Sequence, residues 1–136
     1  MSWRVDGMYN RNDNNINNDQ LENTEYSART TAVLREIGVR ANTKGFKYLR
    51  TAILLTLDDP GIICAVTKEL YPAVAEQYGT TACSVERAMR SAIEHAWNKG
   101  DIAALGKYFA YDLTSYQPRP ANSFFIATIA EYIKYC

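Results

Sequence analysis

The densest chemistry in the sequence sits in the run CSVERAMRSAIEHAWNK, where Glu86 and Arg87 are adjacent and Arg90 follows three residues later. An arginine is a planar fork that can donate twice to guanine O6 and N7, and a carboxylate can accept from cytosine N4. Two donors and an acceptor on one exposed helix face are therefore a set that can read base edges. Thr80 and Thr81 stand just before the run, and hydroxyls and free N–H groups at a helix start suit phosphate oxygens. The same residues have a plainer reading. Glu86 and Arg90 are spaced i, i+4, which makes a surface ion pair worth a few tenths of a kcal/mol, and Glu86 could equally hold Arg90 or Arg87 in place. An amphipathic helix with two outward arginines is an ordinary solvated face.

What must position this set is legible in the apolar residues around it. Val85, Ala88, Met89, Ala92, Ile93, Ala96 and Trp97 recur at helical spacing, which predicts one long amphipathic helix. Thr81 is its expected cap and Gly100 its stop. Opposite the apolar stripe lie Ser84, Arg87, Arg90, Ser91 and Glu94, with Glu86 at the margin. A shorter helix is expected from Pro72 through Val74, Ala75 and Tyr78 to Gly79, because proline suits a first turn and glycine a stop. Short helix, tight turn and long basic-faced helix make a helix-turn-helix pattern.

The remaining pattern is also helical. Val33, Leu34 and Ile37 share a stripe that Gly38 ends. Asn42 or Thr43 can cap a helix striped with Phe46, Leu49, Ile53 and Leu57. Asp58 to Gly61 reads as a turn, and Ile62, Ile63, Val66 and Leu70 as a third helix. Ile102, Leu105, Tyr108 and Phe109 give a short helix. After a proline-broken loop, 115–120, Asn122 or Ser123 caps a last helix carrying Phe125, Ile126, Ile129 and Ile133. No stretch alternates with period two, so the expected fold is all-α, a compact bundle of about six helices.

Composition bounds the rest. The chain of 136 residues is expected to form one domain. Residues 1–27 hold seven asparagines and few aliphatics and read as a disordered acidic tail, leaving 28–136 as the folded unit. Net charge is zero, but the tail carries about −3 and the body about +3, a balance that permits DNA binding without requiring it. No apolar run approaches the roughly 18 residues of a membrane span, and the N-terminus has no signal-peptide pattern; a cytoplasmic protein is expected. Three scattered cysteines and one histidine, His95, supply no zinc spacing, and Cys64 and Cys83 read as small buried hydrophobes. His95 falls at the edge of the apolar stripe and reads as a boundary residue. No catalytic motif, metal site or cofactor motif is present, so an enzyme is not expected.

The segments EIGVRANTKGFKYLRTAI, TKELYPAVAEQYGTTACSVERAMRSAIEHAWNKG and PANSFFIATIA resemble the C-terminal DNA-binding effector domain of the sporulation-initiation response regulator of endospore-forming Firmicutes. The similarity runs from about Arg29 to Lys134. It implies a six-helix fold of the response-regulator effector (winged-helix-like) type, containing a helix-turn-helix. It also implies recognition of a box related to TGTCGAA, contact with the RNA polymerase sigma subunit, and self-pairing on tandem boxes. It assigns base contacts to the VER motif, here Glu86 and Arg87, and matches Arg90. Ser84 stands where the family usually has arginine, and Ser91 where it has histidine, so two long donors are lost. Arg119 replaces a lysine before the proline and could serve as a cation contacting the DNA backbone, with a solvated loop arginine as the plainer reading. Phe124 replaces an acidic residue. The full regulator begins with a phosphoacceptor receiver; with only an Asn-rich tail ahead of the effector, binding without phosphorylation control is expected. The alternative is a protein-interaction module that modulates a full-length regulator or the sigma subunit without reading DNA.

Overall fold

The computed structural model describes residues 18–109 and 118–135. They form six α-helices, α1 (Asn18–Ile37), α2 (Lys44–Asp58), α3 (Tyr71–Tyr78), α4 (Ala82–Lys99), α5 (Ile102–Phe109) and α6 (Asn122–Tyr135), and no strand occurs among them. The fold is all-α, as the periodicity requires.

α2 is the centre, packed against α1, α3, α4 and α6. The expected stripe of Phe46, Leu49, Ile53 and Leu57 is buried, but so are Tyr48, Thr51, Leu55 and Thr56 on the other faces. With only the strip of Lys44, Lys47, Arg50, Leu54 and Asp58 left facing solvent, the buried polar groups of α2 must find partners inside the fold. Thr56 Oγ1 donates to its own helix at Ala52 O (2.8 Å), and Thr51 Oγ1 shares a 2.7 Å hydrogen bond with the Tyr78 hydroxyl of α3. Thr43 caps α2 by accepting from Phe46 N–H at 3.2 Å. On the far side α6 buries Phe125, Ile126, Ile129 and Ile133 completely, each contributing roughly 1.5–3 kcal/mol of apolar burial.

Four expectations are corrected. α1 begins at Asn18, so residues 18–27 of the expected tail are helical, while 1–17 lie outside the described residues. Helix growth from an anchored segment costs little once the nucleus exists. Here Thr30 is buried and donates to Tyr26 O at 2.7 Å, which anchors the turn ahead of the predicted start. The expected third helix is instead a 3-10 segment, Pro60–Ala65, followed by a π turn, Val66–Leu70. Pro72 has no N–H and its ring crowds the carbonyl four residues back. The turn entering α3 widens accordingly, and Tyr71 N–H bonds Val66 O. Cys64 and Cys83 are exposed rather than buried, one in that surface segment and the other on the outer first turn of α4. Neither Asn122 nor Ser123 is the cap of α6; both lie inside it, and Phe125 N–H bonds Ala121 O at 3.0 Å. The expected 115–120 loop lies partly outside the described residues.

α4 lies close against α2. A Cβ built on Gly45 would stand 2.6 Å from both Ala88 O and Ala92 Cβ. Gly45→Ala is therefore expected to push the two helices apart and destabilise the fold by about 1–3 kcal/mol, read by urea unfolding. A second expectation concerns α5. The Tyr108 hydroxyl donates to Glu36 Oε1 of α1. Burial first, and then that bond, raise its pKa above the ordinary 10.0. The folded state holds this proton more tightly than the unfolded chain, so the stabilisation is present below about pH 10 and is lost as pH rises further. Tyr108→Phe should lose less stability than the wild type between about pH 9 and about pH 11 in the same measurement.

Candidate nucleic-acid interface

α3 closes on Gly79, whose left-handed backbone (φ 66°) lets Thr80 N–H return to Ala75 O at 3.0 Å. Two residues later α4 begins. Thr81 caps it, accepting from Ser84 N–H at 3.1 Å, and the Thr81 hydroxyl donates to Ser84 Oγ at 3.0 Å. Both hydroxyls are thus tied into the cap, and the Thr80 N–H is used inside the turn. The outward backbone donors are instead those of Ala82 and Cys83, which by helix geometry have no intrahelical acceptor.

The inner face of α4 is fixed by Val85, Met89, Ile93 and Ala96, all buried. Trp97 closes its far end against Phe109 and Phe125, with ring centroids 5.1 and 6.4 Å apart. With that face inward, Ser84, Arg87, Arg90 and Ser91 are exposed and Glu86 is half-buried. His95 is half-buried, at the boundary as expected.

The two arginines are not equivalent. Arg90 forms a fork with Glu86, Nε to Oε2 at 3.0 Å and Nη2 to Oε1 at 3.4 Å. The bonded carboxylate holds the Arg90 proton more firmly than usual. Of the readings left open for Glu86, the structure selects the pair with Arg90. Arg87 has no carboxylate partner among the described residues. Its Nη2 lies 3.7 Å from Cys83 Sγ, a weak contact one turn back.

Clefts flank the exposed strip on both sides. One, toward α6, is lined by Lys68, Tyr71, Glu86, Arg90, Arg119 and Asn122 among others. The other, toward the start of α2, includes Arg40, Lys44, Ser91 and His95. Arg119 is exposed and shares the first cleft with Arg90. Sequence reasoning missed Lys68, Arg40 and Lys44, whose placement depends on tertiary packing that no local pattern reports. It also misassigned Asn122. That residue is buried, and its Nδ2 donates to the Tyr71 hydroxyl at 3.1 Å and to Glu86 O at 3.2 Å. Burial raises the Tyr71 pKa, against an opposing effect of the Asn122 bond.

Among the described residues no group of three His, Cys, Asp or Glu could hold a metal, and no helix is long and apolar enough to cross a membrane. The exposed strip of α4 contributes little to folding, whereas its cap contributes more. Thr81→Ala is expected to cost about 1 kcal/mol, while Arg87→Ala stays within about 0.5 kcal/mol of the wild type. Urea unfolding with circular dichroism distinguishes the two.

Residues 30–133 match the protein family described as Sporulation initiation factor Spo0A C terminal. That match covers most of the sequence and includes both helices of the helix-turn-helix, its turn and Arg119. The chain belongs to this family of DNA-binding regulatory domains, which is not an enzyme family.

Proposed function

We propose that the protein is a sequence-specific transcriptional regulator that reads a short DNA box in the major groove with α4. The observation that carries this reading is the exposed, carboxylate-free guanidinium of Arg87 at the second turn of a helix whose opposite face is locked in the core. Arg87 is the direct reader, a fork for guanine O6 and N7. Glu86 orients Arg90, and each of its oxygens keeps a second lone pair for a cytosine amino group. Arg90 reaches a base or the adjacent phosphate. Thr80, Thr81, Ser84 and Ser91 line the phosphate-facing edges, where the free N–H groups of Ala82 and Cys83 rather than the capping Thr81 hydroxyl meet the phosphate, and Arg119 contacts the backbone from the α6 side. Contact with the sigma subunit and self-pairing on tandem boxes belong to the same proposal, carried by family membership.

A second reading is favoured by one observation. Phe124 on α6 is 53 % exposed, and its ring lies 6.2 Å from that of Phe109. An outward aromatic suits a protein contact, so a module that modulates a full-length regulator or the sigma subunit without reading DNA is the alternative.

A band-shift titration at low salt separates them. A duplex carrying a TGTCGAA-type box should bind more tightly than a scrambled duplex. Arg87→Ala should lower that preference by about 1–3 kcal/mol, the worth of one bidentate base contact. Arg119→Ala should weaken binding to both duplexes alike and reduce the salt slope by about 1. Equal preference in wild type and Arg87→Ala refutes base reading by Arg87. Capture of a regulator or sigma subunit with no shift of any duplex selects the alternative.

A further inference from the structure

We propose that Asn122 is a positioning residue for base reading, its buried amide fixing the peptide unit from which Arg87 projects. The proposal rests on the DNA-reading function above and adds a residue of α6 to it. Asn122 is only 7 % exposed. One amide hydrogen goes to Tyr71 of α3 and the other to the carbonyl of Glu86 in α4. That carbonyl belongs to the peptide bond joining Glu86 to Arg87. A carbonyl can only accept, so the amide atom facing it at 3.2 Å is the nitrogen, and the orientation of the side chain follows from the chemistry of its partner.

A single amide therefore ties both helices of the helix-turn-helix to α6. The alternative restraints on α4 are apolar. Val85, Met89 and Ile93 decide which face of α4 points outward, but apolar burial has no preferred direction. A hydrogen bond does, and it weakens steeply off-axis. Bidentate recognition tolerates displacements of only about 0.5 Å or 10–20°. The Asn122 tether supplies that last restraint at the turn of α4 that carries Arg87. It also sets the distance between α4 and the chain entering α6, where Arg119 lies three residues upstream.

The Asn122 Oδ1 has no partner among the described residues. An apolar side chain would fill this position without that imbalance. What the amide adds is direction rather than packing.

The test compares wild type, Asn122→Ala, Tyr71→Phe and a core control, Ile133→Val. Each is titrated with a box-containing duplex and a scrambled duplex at two salt concentrations, with folding monitored by circular dichroism. Asn122→Ala is expected to lower the ratio of specific to non-specific affinity on the order of tenfold, the effect of losing a buried hydrogen-bond pair. Scrambled-duplex binding and the salt slope should stay unchanged. Tyr71→Phe keeps the bond to Glu86 and should lower the ratio less, but measurably. Ile133→Val should leave the ratio at the wild-type value, since a merely destabilising change lowers both affinities together. A folded Asn122→Ala with the wild-type ratio, or with equal loss on both duplexes, overturns the proposal. Should Asn122→Ala not fold, a wild-type ratio in Tyr71→Phe overturns it instead. A wild-type protein that binds both duplexes equally removes base reading itself, an outcome distinct from a discriminating wild type beside an equally discriminating Asn122→Ala.

Discussion

The seating of α4 on α2 is the constraint from which the rest of the molecule follows. Val85, Met89 and Ile93 have no exposed surface, and the Gly45 backbone approaches the α4 backbone too closely for any side chain to intervene. A helix seated by backbone contact at its middle and by Trp97 near its C-terminal end cannot roll. Once it cannot roll, its outer residues acquire fixed positions, and Arg87 points away from the core by exclusion. The energy that achieves this comes from apolar burial, roughly 1.5–3 kcal/mol for each large side chain. Each surface ion pair contributes only a fraction of that. The basic face is held in place by residues that carry no charge.

The turn between α3 and α4 shows the same separation of roles at a smaller scale. Gly79 permits the left-handed backbone, and the Thr81–Ser84 pair closes the cap. Thr80 and Thr81 looked like phosphate partners because phosphate sites and helix caps call for the same chemistry, an oxygen beside unpaired N–H groups. Here the cap has prior use of the donors. A phosphate approaching this end meets the first-turn N–H groups of Ala82 and Cys83, with the helix dipole behind them.

Much of this was legible in the sequence because helices announce themselves locally. The α4 stripe, its Thr81 cap and its Gly100 stop are all short-range signals, and so were Gly38, Thr43 and Gly79. The misses share a cause. The π turn before Pro72 depends on how a proline is accommodated by a helix arriving from upstream, not on any residue preference inside Val66–Leu70. The early start of α1 depends on burial of Thr30, a contact with the rest of the fold. Asn122 has the sequence signature of a cap and the structural position of a tether, because a partner 36 residues away, the Glu86 carbonyl, is invisible to periodicity. The exposed face of α4 follows from the helical wheel, but the choice of Arg90 over Arg87 as the partner of Glu86 does not, since both arginines stand near it in sequence.

Charge sets the balance between binding and reading. A chain of zero net charge gains less from general attraction to a polyanion than a strongly basic domain does. Ser84 and Ser91 add hydroxyls to the outer face of α4 but no cations, and Glu86 already neutralises much of Arg90. Two clefts restore some positive charge, through Lys68 and Arg119 on one side and Arg40 and Lys44 on the other. They place it beside α4, where phosphates flank a groove, rather than on it. For the proposed DNA-reading function, a surface built this way gains little from general attraction and depends on direct contacts. On the proposed reading, discrimination rests on Arg87, which has no carboxylate partner among the described residues, and on the rigidity of its support, so a small loss of alignment matters more than it would on a face with several redundant donors.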